Sequence, residues 1–222
     1  MKAALLLLAD GRLPSGGHAH SGGLEQAIAD GRVRTVADVG LFVRGVLPGP
    51  GLTSAALAAV SCSQPGHWEL LCAEFAARTP SAAVRTAAAA QGRALLRTGR
   101  RVWPSAALET LADFTDRPPL PLVQGAVAYA AGLSPADAAL GCLHSLATGA
   151  ASAGVRLLGL DPIEVAGMLA ELSTEIDRIA SMAAGYAHTD LRQLALLPAS
   201  TGPLLDVLAE RHDDREMSLF AS

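Results

Sequence analysis

The residues best suited to chemistry crowd into one stretch, Leu13-Pro14-Ser15-Gly16-Gly17-His18-Ala19-His20-Ser21-Gly22-Gly23-Leu24-Glu25. It holds four of the chain's 22 glycines and two of its six histidines. Such glycine density signals backbone freedom or close approach of other groups. A phosphate cradle, a metal-binding loop and an organising loop packed into a helical domain all match that description. His18 and His20 diverge on a helix but share a side in an extended loop. Imidazole suits nickel, copper and zinc, with Asp10 or Glu25 folding back as a third ligand. A phosphate loop needs a lysine or the GxGxxG spacing after a strand, and neither is present. Ser15 and Ser21 lie beside the histidines, which suggests acyl transfer. Yet the strings PSGG and HSGG are not the GxSxG elbow, and no orienting acid follows in a recognisable order. Glu25 is either a general base or a first-turn acid favoured by a helix dipole.

Two further groups carry potential function. Gln91-Gly92-Arg93 sits inside a basic helical stretch whose arginines fall at 85, 93, 97, 100 and 101. A glycine within a helix costs about 1 kcal/mol relative to alanine. It persists by chance or because another helix crosses there. Arg93 and Arg97, at i and i+4, share a face that either pairs with a partner's acids or is solvated. Arg156 closes a long apolar stretch, where a cation favours the helix C-terminus and can also anchor a neighbouring loop.

The elements that must position these residues are helical. Period-2 alternation bounded by turns is nearly absent. Gly22 to Asp30 reads as a helix closed by Gly31. Thr35 caps Val36 to Leu47, which turns Val39, Phe42, Val43 and Val46 inward and stops at Pro48. Leu52 to Cys62 and Trp68 to Arg78 follow, the latter with Leu71, Cys72 and Phe75 inward. Ser81 then caps a helix reaching Arg101, and Ser105 to Phe114 forms a shorter one. Asp116-Arg117-Pro118-Pro119-Leu120-Pro121 reads as a rigid linker, since proline is excluded from helix interiors. It divides the chain into two unequal helical parts of one domain. Leu122 to Ala131 ends at Gly132. Ser134-Pro135 and Asp161-Pro162 repeat one device, a cap followed by a first-turn proline. They open a long apolar helix ending at 157–160 and another from Ile163 to Ala184. Leu191 to Leu197 and Leu204 to Arg211 are weaker helices, and 213–222 reads as a mobile tail with Leu219-Phe220 as a small apolar hook.

Composition bounds the rest. The chain has 222 residues, half of them hydrophobic but only 4% aromatic, so its core is built from Ala, Leu and Val. Charged residues make up 17%, below the usual quarter, which fits either apolar surface hidden by a partner or an alanine-rich composition. The net charge of -4 and the single lysine, Lys2, disfavour nucleic acid. Three cysteines without CxxC spacing fit a reducing cytoplasm. Asp10 and Arg12 interrupt the N-terminal apolar run, against a signal peptide. Ala138 to Val155 lacks Asp, Glu, Lys and Arg but is rich in small residues, which favours a buried helix over a membrane span.

Four stretches together resemble the urease accessory protein F family, UreF, and its actinobacterial branch. They are the opening loop from Leu5 through Glu25; Gln91-Gly92-Arg93; Leu122-Val123-Gln124-Gly125 with Gly132-Leu133-Ser134-Pro135 running to Val155-Arg156-Leu157; and Arg211-His212-Asp213 with Leu219-Phe220-Ala221-Ser222. The resemblance implies an all-α, single-domain bundle of about ten helices over residues 1–222, without enzyme activity. It implies a cytoplasmic homodimer that bridges UreD (also called UreH) and the GTPase UreG, regulates that GTPase and serves nickel insertion into apo-urease. Nickel would be transient cargo, with no permanent cofactor. Gly16, Gly17, Ser21, Gly22, Glu25, Gln91, Gly92, Arg93, Arg156, Leu219 and Phe220 become structural or partner-contact positions, and the start of the first helix with Glu25 is placed at a partner surface. His18 and His20 remain the metal candidates, although an aromatic is usual in the family at His18 and Tyr or His at His20. Asp161 and Ser218 depart from the Gln and Arg common there.

Overall fold

The computed structural model describes residues 2–15 and 20–213. Eleven α-helices fall within them: α1 Lys2–Ala9, α2 Leu24–Ala29, α3 Val36–Val46, α4 Leu52–Ser63, α5 Trp68–Arg78, α6 Ala82–Val102, α7 Ala106–Phe114, α8 Leu120–Ala130, α9 Pro135–Leu158, α10 Pro162–Ala184 and α11 Pro203–Asp213. The all-α expectation holds, and side-chain caps set most boundaries. Thr35 and Asp38 form a reciprocal capping box at α3, with bonds of 3.2 and 3.0 Å. Ser134 and Asp137 do the same for α9. Asp161 accepts the Ile163 amide at 2.8 Å to start α10. Gly31, Gly132 and Gly159 adopt positive φ after α2, α8 and α9.

The chain departs from expectation where proline and leucine misled. The apolar run before the opening loop is itself helical, as α1, although its sequence carries no cap. Pro48 does not end a helix in a loop: residues Leu47–Gly51 form a π-type turn that bends α3 into α4, and Gly49 absorbs the kink. Pro121 is not linker but lies in the first turn of α8, where its missing N–H breaks no helical bond. Leu191–Leu196 is 3-10 rather than α-helical.

The proline break does not divide the packing. α8, which follows it, lies between α4 and α6, both of which precede it, with α9 alongside. Small residues permit this closeness. A Cβ on Gly125 would overlap the Ala58 carbonyl oxygen and sit 2.6 Å from Ser61 Cβ; one on Gly99 would lie 2.6 Å from Val127 Cγ2. The buried Ser61 hydroxyl donates to the Leu122 carbonyl at 2.7 Å, fastening α4 to the start of α8. α4 serves two apolar cores at once. Its Ala55, Ala56 and Ala59 pack with Val39, Leu143 and Leu172, and its Leu57 and Val60 pack with Leu71, Leu108 and Leu122. Val36–Ser63 and α9 are long and apolar enough to cross a membrane, but 72% and 50% of their most apolar windows are buried within the protein.

Candidate functional site

The opening loop ends in a tight turn made by two left-handed glycines, Gly22 (φ 60°) and Gly23 (φ 88°). Ser21, almost fully buried, accepts the Glu25 amide at 3.3 Å and so serves the start of α2. α11 packs directly over this turn, placing Leu205 Cδ2 3.6 Å from where a Cβ on Gly23 would stand.

Charged and polar pairs clasp α2 to α11. Glu25 Oε2 meets His212 Nε2 at 2.9 Å, with both side chains buried. Arg211 donates to Asp30 Oδ2 at 2.8 Å, and Gln26 donates to Asp30 Oδ1 at 2.8 Å. Glu25 therefore faces inward, against the expectation of a partner surface: α11 covers it. Gly16, Gly17, His18, Leu219 and Phe220 lie outside the described residues.

Beneath the turn runs a cavity of about 330 Å³ whose walls come from α1, α3, α4, α5, α6, α8, α9 and α11. Ser21, Gly22 and His20 line one part and Gln91 another, so four of the expected residues converge on it. Gln124 joins them from α8, with its Oε1 buried and without a hydrogen-bond partner. Most of the remaining wall is aliphatic. Such a lining can hold an amide-bearing or hydroxyl-bearing group. Among the described residues, no three His, Cys, Asp or Glu side chains gather as metal ligands. Burial pushes the Cys62 and Cys72 thiols up to about 11 and Cys142 up to about 12, so each favours its protonated form. Burial also lowers the half-buried His144, favouring its neutral form.

Gln91, Gly92 and Arg93 point in three directions, as consecutive helical residues must. Gln91 faces the cavity. A Cβ on Gly92 would overlap the Pro118 carbonyl oxygen and approach Leu120 N to 3.1 Å. The glycine thus admits the proline break itself rather than a crossing helix. Arg93 is exposed to solvent, as is Arg97 one turn on. Arg156 lies apart from the cavity, exposed in the last turn of α9.

Three positions that shape the site were given no role from sequence. Gln124 had a visible signal, as the only amide in the apolar helix α8. His212 stood within the Arg211-His212-Asp213 stretch of the resemblance, but nothing there pointed to Glu25, 187 residues away. Arg78, buried, resembles an ordinary last-turn cation. In the structure it donates to the Leu194 carbonyl at 2.8 Å and the Pro198 carbonyl at 3.1 Å, while also pairing with Glu74, and so pins the 3-10 segment.

Residues 33–173 match the family model described as UreF. Over nearly their whole lengths the chain is similar to proteins named "Urease accessory protein UreF". One from Mycobacterium sp. (strain JLS) is 42% identical over 98% of this chain and 97% of its own. Those of Mycolicibacterium vanbaalenii and Mycobacterium tuberculosis are each 42% identical over 99% of this chain and 98% of theirs.

Proposed function

The chain belongs to the UreF family of urease accessory proteins, and from that premise we propose that it is a non-enzymatic scaffold and chaperone for nickel insertion into apo-urease. In this reading it works in the cytoplasm as a homodimer, bridges UreD (UreH) and the GTPase UreG, and regulates the GTPase. The observation that carries the proposal is the end-to-end similarity to mycobacterial UreF proteins. The structure adds physical support. Ser21, Glu25 and Gln26 are engaged in starting α2 and clasping it to α11, which suits a body that presents surfaces. Leu6, Leu41, Ile163 and Leu196 are large apolar side chains left exposed, at 73, 68, 81 and 66%. Such side chains are what partner interfaces cover.

The test is co-purification with UreD and UreG, followed by urease activation with nickel and GTP. Binding of both and activation dependent on this chain are expected. Failure of both partners to bind would remove the bridging role.

A second reading is favoured by His20 standing on the cavity wall. Here the chain itself holds nickel through His18 and His20 during transfer. Titration calorimetry would then give a stoichiometric nickel site that His18→Ala/His20→Ala abolishes. Absence of such a site would leave the scaffold role alone.

A further inference from the structure

The outer face of α6 carries a line of arginines without carboxylate partners. Arg93, Arg97 and Arg101 stand at i, i+4 and i+8, so they share one stripe about 12 Å long. All three are exposed. Arg117 extends the line toward the start of the helix. It too is exposed, and its side chain makes one weak bond, to Thr86 Oγ1 at 3.5 Å. Thr86 lies about two turns before Arg93 on the same face. Among the described residues none of these four arginines pairs with an acid. Glu109 of α7 is taken by Arg100, whose Nε donates to it at 3.0 Å.

Nothing within the chain compensates this arrangement. Like charges at i and i+4 destabilise a helix. The macrodipole favours cations only within the last turn, which holds Arg100 and Arg101 but not Arg93 or Arg97. The chain as a whole has a net charge of -4, so these unpaired cations are a local reversal of sign. The stripe also has an apolar end: Thr86, Arg117 and Phe114, itself 45% exposed, line one groove beside α6. Exposed aromatic and arginine side chains together are the usual anchors of protein interfaces. A row of guanidiniums leading from an apolar notch fits a helix with carboxylates at i, i+4 and i+8 and a large apolar side chain about two turns away. A nucleic acid fits less well. Its phosphates, about one per 3.4 Å of a duplex strand, outnumber the four arginines, and the excess would face a chain of net negative charge.

We propose that the outer face of α6 docks an acidic amphipathic helix of a partner protein, with its carboxylates on Arg93, Arg97 and Arg101 and an apolar side chain against Phe114. Paired N–H donors on each guanidinium grip a carboxylate in one geometry, which fixes the partner's register along α6. In the scaffold reading the partner is one of the two proteins that the chain bridges; only that identification rests on the reading.

The first probe needs no partner protein. A labelled synthetic helix with Glu at i, i+4 and i+8 and Leu two turns away is titrated with the full-length chain by fluorescence anisotropy. Binding is expected to weaken with added salt, and to weaken at least about tenfold in Arg93→Glu/Arg97→Glu, because like charges across an interface repel. Phe114→Ala should weaken it too while leaving the salt dependence unchanged. Thermal unfolding of each variant near the parent's midpoint checks that the fold is kept. Absence of binding, or equal affinity for the parent and the charge variant, would overturn the proposal. So would tighter binding of a single-stranded oligonucleotide of equal charge, which would assign the stripe to nucleic acid. A changed sedimentation of the chain alone in Arg93→Glu/Arg97→Glu would overturn it as well, by assigning the stripe to a second copy. In pull-downs the charge variant is expected to lose either UreD or UreG and keep the other, and retention of both would exclude them as the occupant. If the parent captured neither while the acidic helix still bound through the arginines, the bridging role would fall and the docking site would stand.

Discussion

Gly92→Ala and Gly167→Ala make the same chemical change inside two long helices and should move stability in opposite directions. At Gly92 the added methyl meets the Pro118 carbonyl oxygen. That oxygen belongs to backbone between two prolines, so it cannot swing aside as a side chain would. Overpacking of this kind costs about 3 kcal/mol, against about 1 kcal/mol gained from alanine's helix propensity. The net loss is about 2 kcal/mol, or about 4–8 °C in Tm for a chain of this size. Gly167 lies within α10 with nothing within 4 Å of its would-be Cβ. There only the propensity gain remains, about 1 kcal/mol and about 2–4 °C upward. Thermal and urea unfolding of both variants against the parent provide the assay. If Gly92→Ala were as stable as Gly167→Ala, the close approach of the proline break to α6 would not be the reason for a glycine there.

The clasp between α2 and α11 should behave as one unit. Glu25→Ala and His212→Ala each strand a buried polar group at about 1–3 kcal/mol, and the double variant should lose at least about 0.5 kcal/mol less than their sum; additive losses in urea unfolding would refute the coupling. Glu210 should titrate below its ordinary 4.5, because the Ser81 hydroxyl and then the Ala83 amide donate to its carboxylate. Since its folded pKa is depressed, its contribution is present above 4.5 and is lost as pH falls through the lowered value. Ser81→Ala should raise it, as read by NMR titration, and an unmoved midpoint would contradict the assignment. Deleting Ser218 to Ser222 should weaken UreD capture in co-purification, and undiminished capture would exclude the apolar hook as a contact.

Local signals were readable where one side chain decides a backbone outcome. Thr35, Ser81, Ser134 and Asp161 cap the helices that their positions suggested, because a hydroxyl or carboxylate satisfies a free amide within three residues. Pro48 and Pro121 misled because proline only removes an amide; whether the chain turns away or stays wound depends on what packs around it. α1 escaped notice because leucines in unbroken succession carry no period, and Leu6 and Leu7 stay exposed even when helical. Glu25 was visible as a first-turn acid, but its burial depends on a helix near the other end of the sequence. The cavity was illegible for the same reason: its walls come from eight helices, and only lone polar side chains in apolar stretches, such as Gln124, hint at a lining.

That wall has a consequence for synthesis. Leu205, Asp206 and Ala209 of α11 help enclose the cavity. The α4–α8 contact, by contrast, is complete in sequence by Ala130. At about 5–20 residues per second, the ribosome takes roughly 4–16 s to add the residues between those two points. During that interval the turn at Gly22-Gly23 has no α11 above it, and Glu25 has no imidazole to meet. A nascent chain thus holds its apolar interior open until its last helix emerges, which makes that window the stage at which aggregation or chaperone capture competes with closure.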